Sequence, residues 1–232
     1  MVTRTRPVVA IDGPVGAGKS TVARELARVL GFDYLNTGAM YRAVAIAARY
    51  VNIDDNAAEG RLEQLLDSIA INFEGECVLL DGKDVTAEIS QPVIGDLASR
   101  LSTRPVVRGH LRKLQRAAGE TGGVVIEGRD IGTAIFPDAE FKFFLTARLR
   151  IRAARRFAEL AAHGVLITEA EVLAQLEERD RRDQQRELAP LRQAGDAIVI
   201  DSSELDVKQV VRVMLAYVLH QTEHSKASEP KA

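Results

Sequence analysis

The feature that most constrains this chain is a glycine-rich segment near its start. Residues 13–20 read G-P-V-G-A-G-K-S and fit the pattern G-x-x-x-x-G-K-[ST]. The segment lies between an apolar run, predicted as a strand over Pro7–Asp12, and an amphipathic helix predicted over Lys19–Leu30. Glycines allow the backbone to fold around a phosphate, and the helix that follows adds the positive end of its dipole. The sequence therefore predicts a strand, a phosphate-binding loop and a helix in succession.

The loop indicates a site for ATP. Lys19 can reach the β- and γ-phosphates, and Ser20 offers a hydroxyl oxygen to Mg²⁺. A glycine-rich turn without a ligand is disfavoured by the strand and helix on either side. A GTPase switch is disfavoured because the sequence holds no N-K-x-D guanine motif. The expected nucleotide-binding residues are Gly13, Pro14, Val15, Gly16, Ala17, Gly18, Lys19, Ser20 and Thr21, with Ser20 as the metal ligand.

Strands and helices alternate along most of the chain. This alternation is typical of an α/β fold, and we expect a five-stranded parallel sheet flanked by helices. Further strands are predicted over residues 123–127, 141–145 and 197–200. Further helices are predicted over 38–50, 104–119, 148–162, 168–186 and 206–221.

Residues 57–97 interrupt that alternation. A short helix is followed by apolar runs separated by Gly75 and by Asp81-Gly82, a pattern typical of antiparallel hairpins. We interpret this stretch as an insertion into a core formed by residues 1–56 and 98–222. The polar tail, residues 223–232, is expected to be disordered.

Composition excludes several classes of protein. A formal net charge of −2 argues against a nucleic-acid coat protein. A single cysteine, Cys77, rules out an internal disulfide or a Cys-rich zinc site. No stretch approaches the roughly 20 apolar residues of a membrane span, and the apolar run at 8–11 is too short for a signal peptide. We therefore expect a cytoplasmic monomer whose partners are small molecules, neither nucleic acid nor membrane.

Three further segments carry a family resemblance. Residues 36–42 read N-T-G-A-M-Y-R, residues 127–133 read E-G-R-D-I-G-T before F-P-D-A at 136–139, and residues 179–186 read R-D-R-R-D-Q-Q-R before A-P-L at 189–191. In order and spacing they resemble the bacterial cytidylate kinases, which are P-loop nucleoside monophosphate kinases. The resemblance runs from about residue 7 to 222, although Asn36 and Gln184-Gln185 depart from the family pattern.

This resemblance implies a reaction and an acceptor site. The γ-phosphoryl group of ATP would pass to CMP, and less well or equally to dCMP, within a fold that carries an NMP-binding insertion at 57–97 and a helical lid at about 148–190. Asp130 would accept from the N4 amine of cytosine, which distinguishes CMP from UMP. Ser99 and Arg108 would assist at the base. The implied substrate-binding residues are Thr37, Tyr41, Arg42, Ser99, Arg108, Arg129, Asp130, Arg179, Asp183 and Arg186.

The residues themselves leave other interpretations open. Thr37 and Arg42 suit a second phosphate, but also a helix N-cap and a surface arginine. Arg129 and Asp130 follow a core strand, where ligands bind in open α/β sheets, yet such a pair also closes turns. The spacing of Arg179, Asp183 and Arg186 places them on one helical face, which equally describes a solvated salt-bridge ladder.

An arginine cluster completes the predicted machinery. Five arginines occupy residues 148–156 with no acid among them, like the lid that closes over a transferring phosphoryl group in this family. The acceptor is already an ionised phosphate oxygen, so no general base is needed. Glu127 is a candidate for ordering Mg²⁺ through water. The expected catalytic residues are Lys19, Arg129, Arg152, Arg155, Arg156 and Arg186. The alternatives are a kinase for UMP, AMP or another metabolite, and a nucleotide-binding switch.

Overall fold

The computed structural model describes residues 4–162 and 164–227, with side chains described as far as residue 221. The strands are β1 (Val8–Asp12), β2 (Asp33–Asn36), β3 (Ile71–Glu74), β4 (Cys77–Leu80), β5 (Lys83–Asp84), β6 (Val124–Gly128), β7 (Phe141–Thr146) and β8 (Ile198–Asp201). The α-helices are α1 (Lys19–Leu30), α2 (Thr37–Tyr50), α3 (Glu59–Ser68), α4 (Thr86–Ile89), α5 (Pro92–Leu101), α6 (Pro105–Ala118), α7 (Leu149–Ala162), α8 (Glu169–Gln185) and α9 (Val207–Ala227). A five-residue π-helical turn spans Ile131–Ile135.

The described chain forms two compact units. Unit 1 consists of the residues up to Leu35, Thr121–Gln185 and the residues from Leu191 on. Unit 2 consists of Asn36–Glu120 and Arg186–Pro190. Unit 1 therefore holds the predicted phosphate loop, and unit 2 contains the stretch 57–97.

Unit 1 is built on a five-stranded sheet in the order β2-β6-β1-β7-β8. The pairings of β1 with β6, β1 with β7 and β7 with β8 are parallel, which confirms the predicted sheet. The central strand β1 is the most buried, with Val8 to Ile11 fully inaccessible, as expected for a strand covered on both faces. Its last residue, Asp12, lies opposite Gly128 and Phe144. The phosphate loop therefore starts at the carboxyl edge of the sheet, where open α/β sheets bind ligands.

Helices α1 and α9 cover the sheet in unit 1. Leu26 of α1 and Met214 of α9 are fully buried in a core that also contains Phe143 of β7. Tyr217 packs edge-on against Phe143, with ring centroids 5.9 Å apart. Helix α1 spans the predicted residues and stops at Gly31, whose left-handed backbone lets its N–H bond the last carbonyls of the helix.

Unit 2 combines helices with a small antiparallel sheet in the order β3-β4-β5. The turn between β4 and β5 places Asp81 and Gly82 at φ 52° and 79°. Two successive positive φ angles are what the tightest hairpins require, so the Asp-Gly signal correctly predicted this turn. The role of 57–97 as an NMP-binding insertion stays a prediction, and the compact unit around it is larger, since it also includes α2 and α6.

Two helices differ from expectation. No helix was predicted at α5, although Ile94, Leu97, Ala98 and Leu101 recur at helical spacing and are buried. Helix α9 continues to Ala227, so the backbone at 223–227 is helical where a disordered tail is expected, and 228–232 lie outside the described residues. In the part of the chain that the structure describes, no helix has both the length and the apolar character needed to cross a membrane.

Candidate active site

The phosphate loop requires glycine at its first position. The backbone of Gly13 has φ 148°, and a Cβ there would come within 1.9 Å of the carbonyl oxygen of Leu145. Gly16 and Gly18 adopt φ 76° and 90°, and Gly18 is the N-cap of α1. Residues other than glycine rarely adopt such φ angles. The glycine pattern thus reflects a loop whose backbone packs closely against β7 and leads into the N-terminus of α1.

Lys19 is a buried cation at the start of α1. Its side chain is 5% exposed, and Nζ donates to the carbonyl oxygen of Pro14 at 2.7 Å. Burial, with the charge of Arg129 second, lowers the pKa of Lys19 to about 7. The carboxylates of Glu127, Asp12 and Asp183 oppose that shift. Lys19 therefore lies in a region where a charged ammonium is costly unless further negative charge arrives.

Asp12 is a site residue that the sequence analysis missed. Its two carboxylate oxygens accept from the backbone N–H groups of Ile131 at 2.8 Å and Gly132 at 2.7 Å. These bonds tie the residue before the phosphate loop to the turn after Asp130. Burial raises the pKa of Asp12 to about 6 in spite of both bonds. The available signal was an acid that ends an apolar strand directly before Gly13.

Arg129 and Asp183 meet, although 54 positions separate them in the chain. Arg129 Nε donates to Asp183 Oδ2 at 2.8 Å, and both side chains are mostly buried. This contact joins the end of β6 to α8, so two of the motif segments converge within unit 1. Asp130 is 6% exposed at the start of the π-helical turn, and Arg179 is partly buried one turn before Asp183 on α8.

The arginines of α7 form contacts with the protein. Arg152 is buried and donates to the carbonyl oxygens of Ala147 at 2.9 Å and Val15 at 3.1 Å, and it pairs with Asp180 at 2.6 Å. These three partners connect α7, α8 and the phosphate loop. Because its guanidinium bonds both the Val15 carbonyl and Asp180, Arg152 links the phosphate loop to α8.

Arg155 and Arg156 are bound differently. Arg155 donates to the hydroxyl and the carbonyl oxygen of Ser202, at 3.1 and 2.7 Å. The Ser202 hydroxyl donates in turn to the carbonyl oxygen of Ala17 in the phosphate loop, at 3.1 Å. Arg156 pairs with Glu159 one turn along the same helix, at 2.7 Å. Ser202, which no sequence pattern marked, thus links Arg155 to the loop.

A further hydrogen bond joins β2 to the end of β6. Tyr34 of β2 donates its phenolic proton to Glu127 Oε1 at 2.6 Å. Burial and the neighbouring Glu127 carboxylate raise the pKa of Tyr34. Tyr34 is the third residue that the sequence analysis missed. The last residue of the predicted loop set, Thr21, is exposed on α1.

In unit 2, the first acceptor segment begins α2. Asn36 is the N-cap, and its side-chain oxygen accepts from the backbone N–H of Ala39 at 3.0 Å. The Asn therefore performs the capping that an Asp would perform at this position. Thr37 is the first helical residue and is 4% exposed, while Tyr41 is partly buried one turn later. The cap of this helix is Asn36, so the interpretation of Thr37 as an N-cap is wrong.

Three further arginines of unit 2 that the sequence predicts at the acceptor site donate to backbone carbonyls. Arg42 donates to the carbonyl of Ile89, and Arg186 Nε donates to that of Ala189 at 2.6 Å. Arg108 donates to the carbonyl of Ser102 at 3.3 Å. The Ser102 hydroxyl bonds the carbonyl of Ser99 at 2.7 Å, so Ser99 and Arg108 are joined at the α5–α6 turn. Both are buried polar side chains.

Comparisons with known proteins identify the family of this chain. Residues 9–220 match the family model described as cytidylate kinase. A cytidylate kinase from Thermodesulfovibrio yellowstonii is 48% identical over 217 residues, covering 92% of this chain and 98% of that protein. One from Geobacter sp. strain M21 is 49% identical over 211 residues, covering 89% and 90%.

A solved structure from Eubacterium ventriosum is similar to this chain in fold alone. It aligns with a TM-score of 0.50 at 17% identity and covers 92% of this chain and 98% of that one. The family follows from the sequence matches, which extend over nearly the whole chain and include the phosphate loop together with the segments that hold Arg129 and Asp183. This chain belongs to the cytidylate kinase family.

Proposed function

We propose that this protein transfers the γ-phosphoryl group of ATP to CMP, giving ADP and CDP, and that it also accepts dCMP. The observation that carries this proposal is the buried cation Lys19, with the partly buried Arg129 near enough to act on its charge, beside an intact phosphate loop. Burial and the charge of Arg129 lower the pKa of Lys19, and a polyphosphate supplies negative charge that offsets both. The relatives that match over most of this chain are themselves named cytidylate kinases.

On the donor side, residues 13–21 bind ATP. The backbone N–H groups of the loop and the N-terminus of α1 face the phosphates. Lys19 exchanges its bond to the Pro14 carbonyl for phosphate oxygens, and the negative charge that it meets restores its protonated form. Phosphoryl transfer depends on positioning and charge neutralisation, and both are supplied by groups that the fold holds in place.

The donor set around Ser20 fits Mg²⁺. The ion prefers oxygen ligands and keeps several waters, so it needs few groups from the protein. Ser20 offers a hydroxyl beside Lys19, and the carboxylates of Asp12 and Glu127 are close enough to act on the charge of Lys19. Ser20 would bind the ion directly. When bound, Mg²⁺ supplies positive charge to the phosphate oxygens.

On the acceptor side, the cytosine base and the phosphate are bound by different groups. Asp130 accepts from the N4 amine of cytosine, Arg108 donates to N3 or O2, and Ser99 assists at the base. Asp183 accepts from ribose hydroxyls beside Arg179. Loss of one such bond makes dCMP an equal or poorer substrate. The acceptor phosphate is bound by Thr37, Tyr41, Arg42, Arg129 and Arg186.

The lid arginines act after both nucleotides bind. Arg155 and Arg156 exchange their bonds to Ser202 and Glu159 for oxygens of the transferring group. Arg152, buried against Val15 and Asp180, makes its contribution from its present position. Closure of this segment keeps water from becoming the acceptor. We further propose that the protein acts as a cytoplasmic monomer, without nucleic-acid or membrane partners, in keeping with its net charge of −2.

A coupled assay of ADP release tests this function. The full chain is supplied with ATP and Mg²⁺ and, in parallel, with CMP, dCMP, UMP or AMP. We expect the highest kcat/KM for CMP, an equal or lower value for dCMP, and much lower values for UMP and AMP. Turnover with UMP or AMP that equals turnover with CMP would contradict the proposal, as would ADP release that does not depend on any acceptor.

A further inference from the structure

The carboxylate of Asp12 anchors a turn that follows it by 119 positions in the chain. Its Oδ1 atom accepts from the backbone N–H of Ile131 at 2.8 Å, and its Oδ2 atom accepts from that of Gly132 at 2.7 Å. Asp12 ends β1, and its backbone lies opposite Gly128 on one side and Phe144 on the other. Because strands on both sides hold this residue, its carboxylate is a fixed point in unit 1.

The anchored segment is the π-helical turn over Ile131–Ile135, which begins directly after Asp130. The carbonyl oxygen of Asp130 accepts from two N–H groups later in the turn, at 2.8 and 3.1 Å. The N–H groups at the start of a helical turn have no carbonyl partner inside it, and a buried N–H without a partner is costly. Ile131, at the start of this turn, is 1% exposed. Asp12 therefore supplies acceptors for the first two N–H groups of a buried turn.

Asp130 stands at the N-cap position of this turn, yet the capping is done by Asp12. An aspartate at an N-cap commonly accepts from the N–H groups of the turn that follows it. Within the described chain, the Asp130 side chain makes no such bond. A carboxylate oxygen that binds the backbone is less able to accept from a base amine. Because Asp12 caps the turn from β1, the carboxylate of Asp130 is not required for that bond.

Recognition of cytosine through one carboxylate depends on where that carboxylate lies. The N4 amine of cytosine donates, whereas O4 of uracil accepts, so Asp130 distinguishes the two bases only if its oxygens lie opposite that atom. Asp130 lies between the end of β6 and the anchored turn. We propose that Asp12 is a positioning residue that, through its two bonds to the turn, places the Asp130 carboxylate for discrimination between CMP and UMP. This inference rests on the proposed function, because it assumes that Asp130 binds the base.

The charge of Asp12 suggests the variant that tests this role. Asp12 is 4% exposed, and burial raises its pKa to about 6 in spite of both backbone bonds. At pH 8 it is therefore ionised, with an acceptor oxygen for each N–H group. An asparagine has nearly the same volume, but its amide offers one accepting oxygen and one NH₂ group. Asp12→Asn therefore places a donor against one of the two N–H groups, whichever way the amide is turned.

A matched control lies at the other end of the same strand. Glu140 Oε2 accepts from the backbone N–H of Val8, the first residue of β1, at 2.8 Å. Glu140→Gln also replaces a carboxylate that accepts from the backbone by an amide, but at the end of β1 that lies away from the anchored turn. Any general effect of disturbing β1 should appear in both variants, whereas an effect on base recognition should appear in Asp12→Asn.

The test measures the ratio of kcat/KM for CMP to kcat/KM for UMP, with the full chain at pH 8 in saturating ATP and Mg²⁺. Both acceptors use the same donor site, so any effect of Asp12 on the charge of Lys19 is common to both reactions and cancels in the ratio. We expect Asp12→Asn to lower the ratio about fivefold, the size of one net hydrogen bond, chiefly by raising KM for CMP. Glu140→Gln should keep the wild-type ratio.

Two further variants test whether Asp12 acts through Asp130. Asp12→Ser removes both carboxylate oxygens and brings no opposing amide, so we expect it to lower the ratio more than Asp12→Asn does. This smaller side chain also keeps the test in place if the asparagine variant fails to fold. In an Asp130→Ala background, Asp12→Asn should cause no additional loss, since the group that it positions is gone.

The outcomes separate the two proposals. A ratio that the Asp12 variants leave at the wild-type value overturns this inference and leaves the proposed function standing. An equal loss in the presence and absence of the Asp130 carboxylate, or the same loss from Glu140→Gln, overturns it too, because Asp12 would then act by another route. A wild-type protein that does not prefer CMP to UMP, or whose preference survives Asp130→Ala, overturns the assignment of the base to Asp130, and this inference with it.

Discussion

Two predicted site arginines of unit 1, Arg129 and Arg152, pair with buried carboxylates, whereas three predicted site arginines of unit 2 donate to backbone carbonyls. In unit 1, Arg129 binds Asp183 at 2.8 Å and Arg152 binds Asp180 at 2.6 Å, all mostly buried. Removing one member of such a pair leaves an uncompensated charge in a place with little water, which is costly. The members of these two pairs therefore depend on one another.

The arginines of unit 2 are in a different situation. Arg42, Arg108 and Arg186 donate to the carbonyls of Ile89, Ser102 and Ala189. A carbonyl carries no net charge, so these contacts orient a guanidinium without neutralising it themselves. On the proposed function, we therefore expect the loss of a paired charge in unit 1 to affect both stability and activity, and the loss of one of these three arginines to affect mainly the use of CMP.

The largest expected effect comes from Lys19, the buried cation at the start of α1. Lys19→Ala should lower kcat by about 10²–10³-fold, because it removes a preorganised charge from the transferring phosphoryl group. The fold should survive, because the change relieves the burial of a cation. Coupled ADP release and thermal unfolding measure both properties.

A surface lysine gives the control for that variant. Lys113→Ala changes an exposed residue of α6 and should leave kcat and the unfolding temperature at wild-type values. A wild-type kcat for Lys19→Ala would mean that the phosphate loop does not take part in the reaction. The expected difference between the charged groups of the two units would then be contradicted.

The next largest expected effect is on recognition of the cytosine base. Asp130→Ala should raise KM for CMP by about 10–100-fold, the value of one specific pair between a carboxylate and a base amine, and should leave KM for ATP nearly unchanged. The preference for CMP over UMP should fall with it. Steady-state kinetics with each nucleotide varied in turn separate the two KM values. Equal increases for CMP and ATP would mean that Asp130 only supports the fold.

In unit 2, Arg42→Ala should raise KM for CMP by about 10-fold, the scale of one charge-assisted hydrogen bond. The Ile89 carbonyl that Arg42 contacts carries no charge, so the unfolding temperature should fall less than it does when one member of the Arg129–Asp183 pair is removed. Arg49→Ala, in the exposed last turn of the same helix, is the control. A large drop in stability, or an equal effect from Arg49→Ala, would contradict the description of unit 2.

The smallest expected effect is the uptake of protons when ATP binds. Lys19 has a pKa of about 7, so at pH 8 it is mostly neutral, and the negative charge of ATP should return its proton. Binding of ATP at pH 8 should therefore take up about one proton, and binding at pH 6 almost none. Calorimetry in buffers of different ionisation enthalpy measures this uptake, and Lys19→Met should abolish it. ATP binding at pH 8 without proton uptake would contradict the buried charge cluster.

Much of the fold could be predicted because its signals are local. The phosphate loop, the limits of α1 and the Asp81-Gly82 turn each depend on a few neighbouring residues. Helix α5 was missed because the hairpin pattern before it extended the predicted insertion to residue 97. The end of α9 was missed because a polar sequence does not show where a helix stops.

The candidate site was predictable by residue type but not by contact. The sequence singled out Arg129 and Asp183, yet it gave no reason to join them across 54 positions. Asp12, Tyr34 and Ser202 were missed because their importance lies in partners from distant segments, such as the Ile131 N–H for Asp12. Such pairings depend on the register of the sheet, which periodicity alone does not specify.

The central claim is that this protein phosphorylates CMP in preference to other nucleoside monophosphates. A competition experiment tests it most directly: equal concentrations of CMP, UMP and AMP are mixed with limiting ATP, Mg²⁺ and the full chain, and the diphosphates are separated by chromatography. We predict that CDP forms at least about tenfold faster than UDP, the discrimination that one base-specific pair provides, and that ADP rises only in step with the two pyrimidine products. UDP formed as fast as CDP, or ADP formed well in excess of CDP and UDP together, would contradict the account.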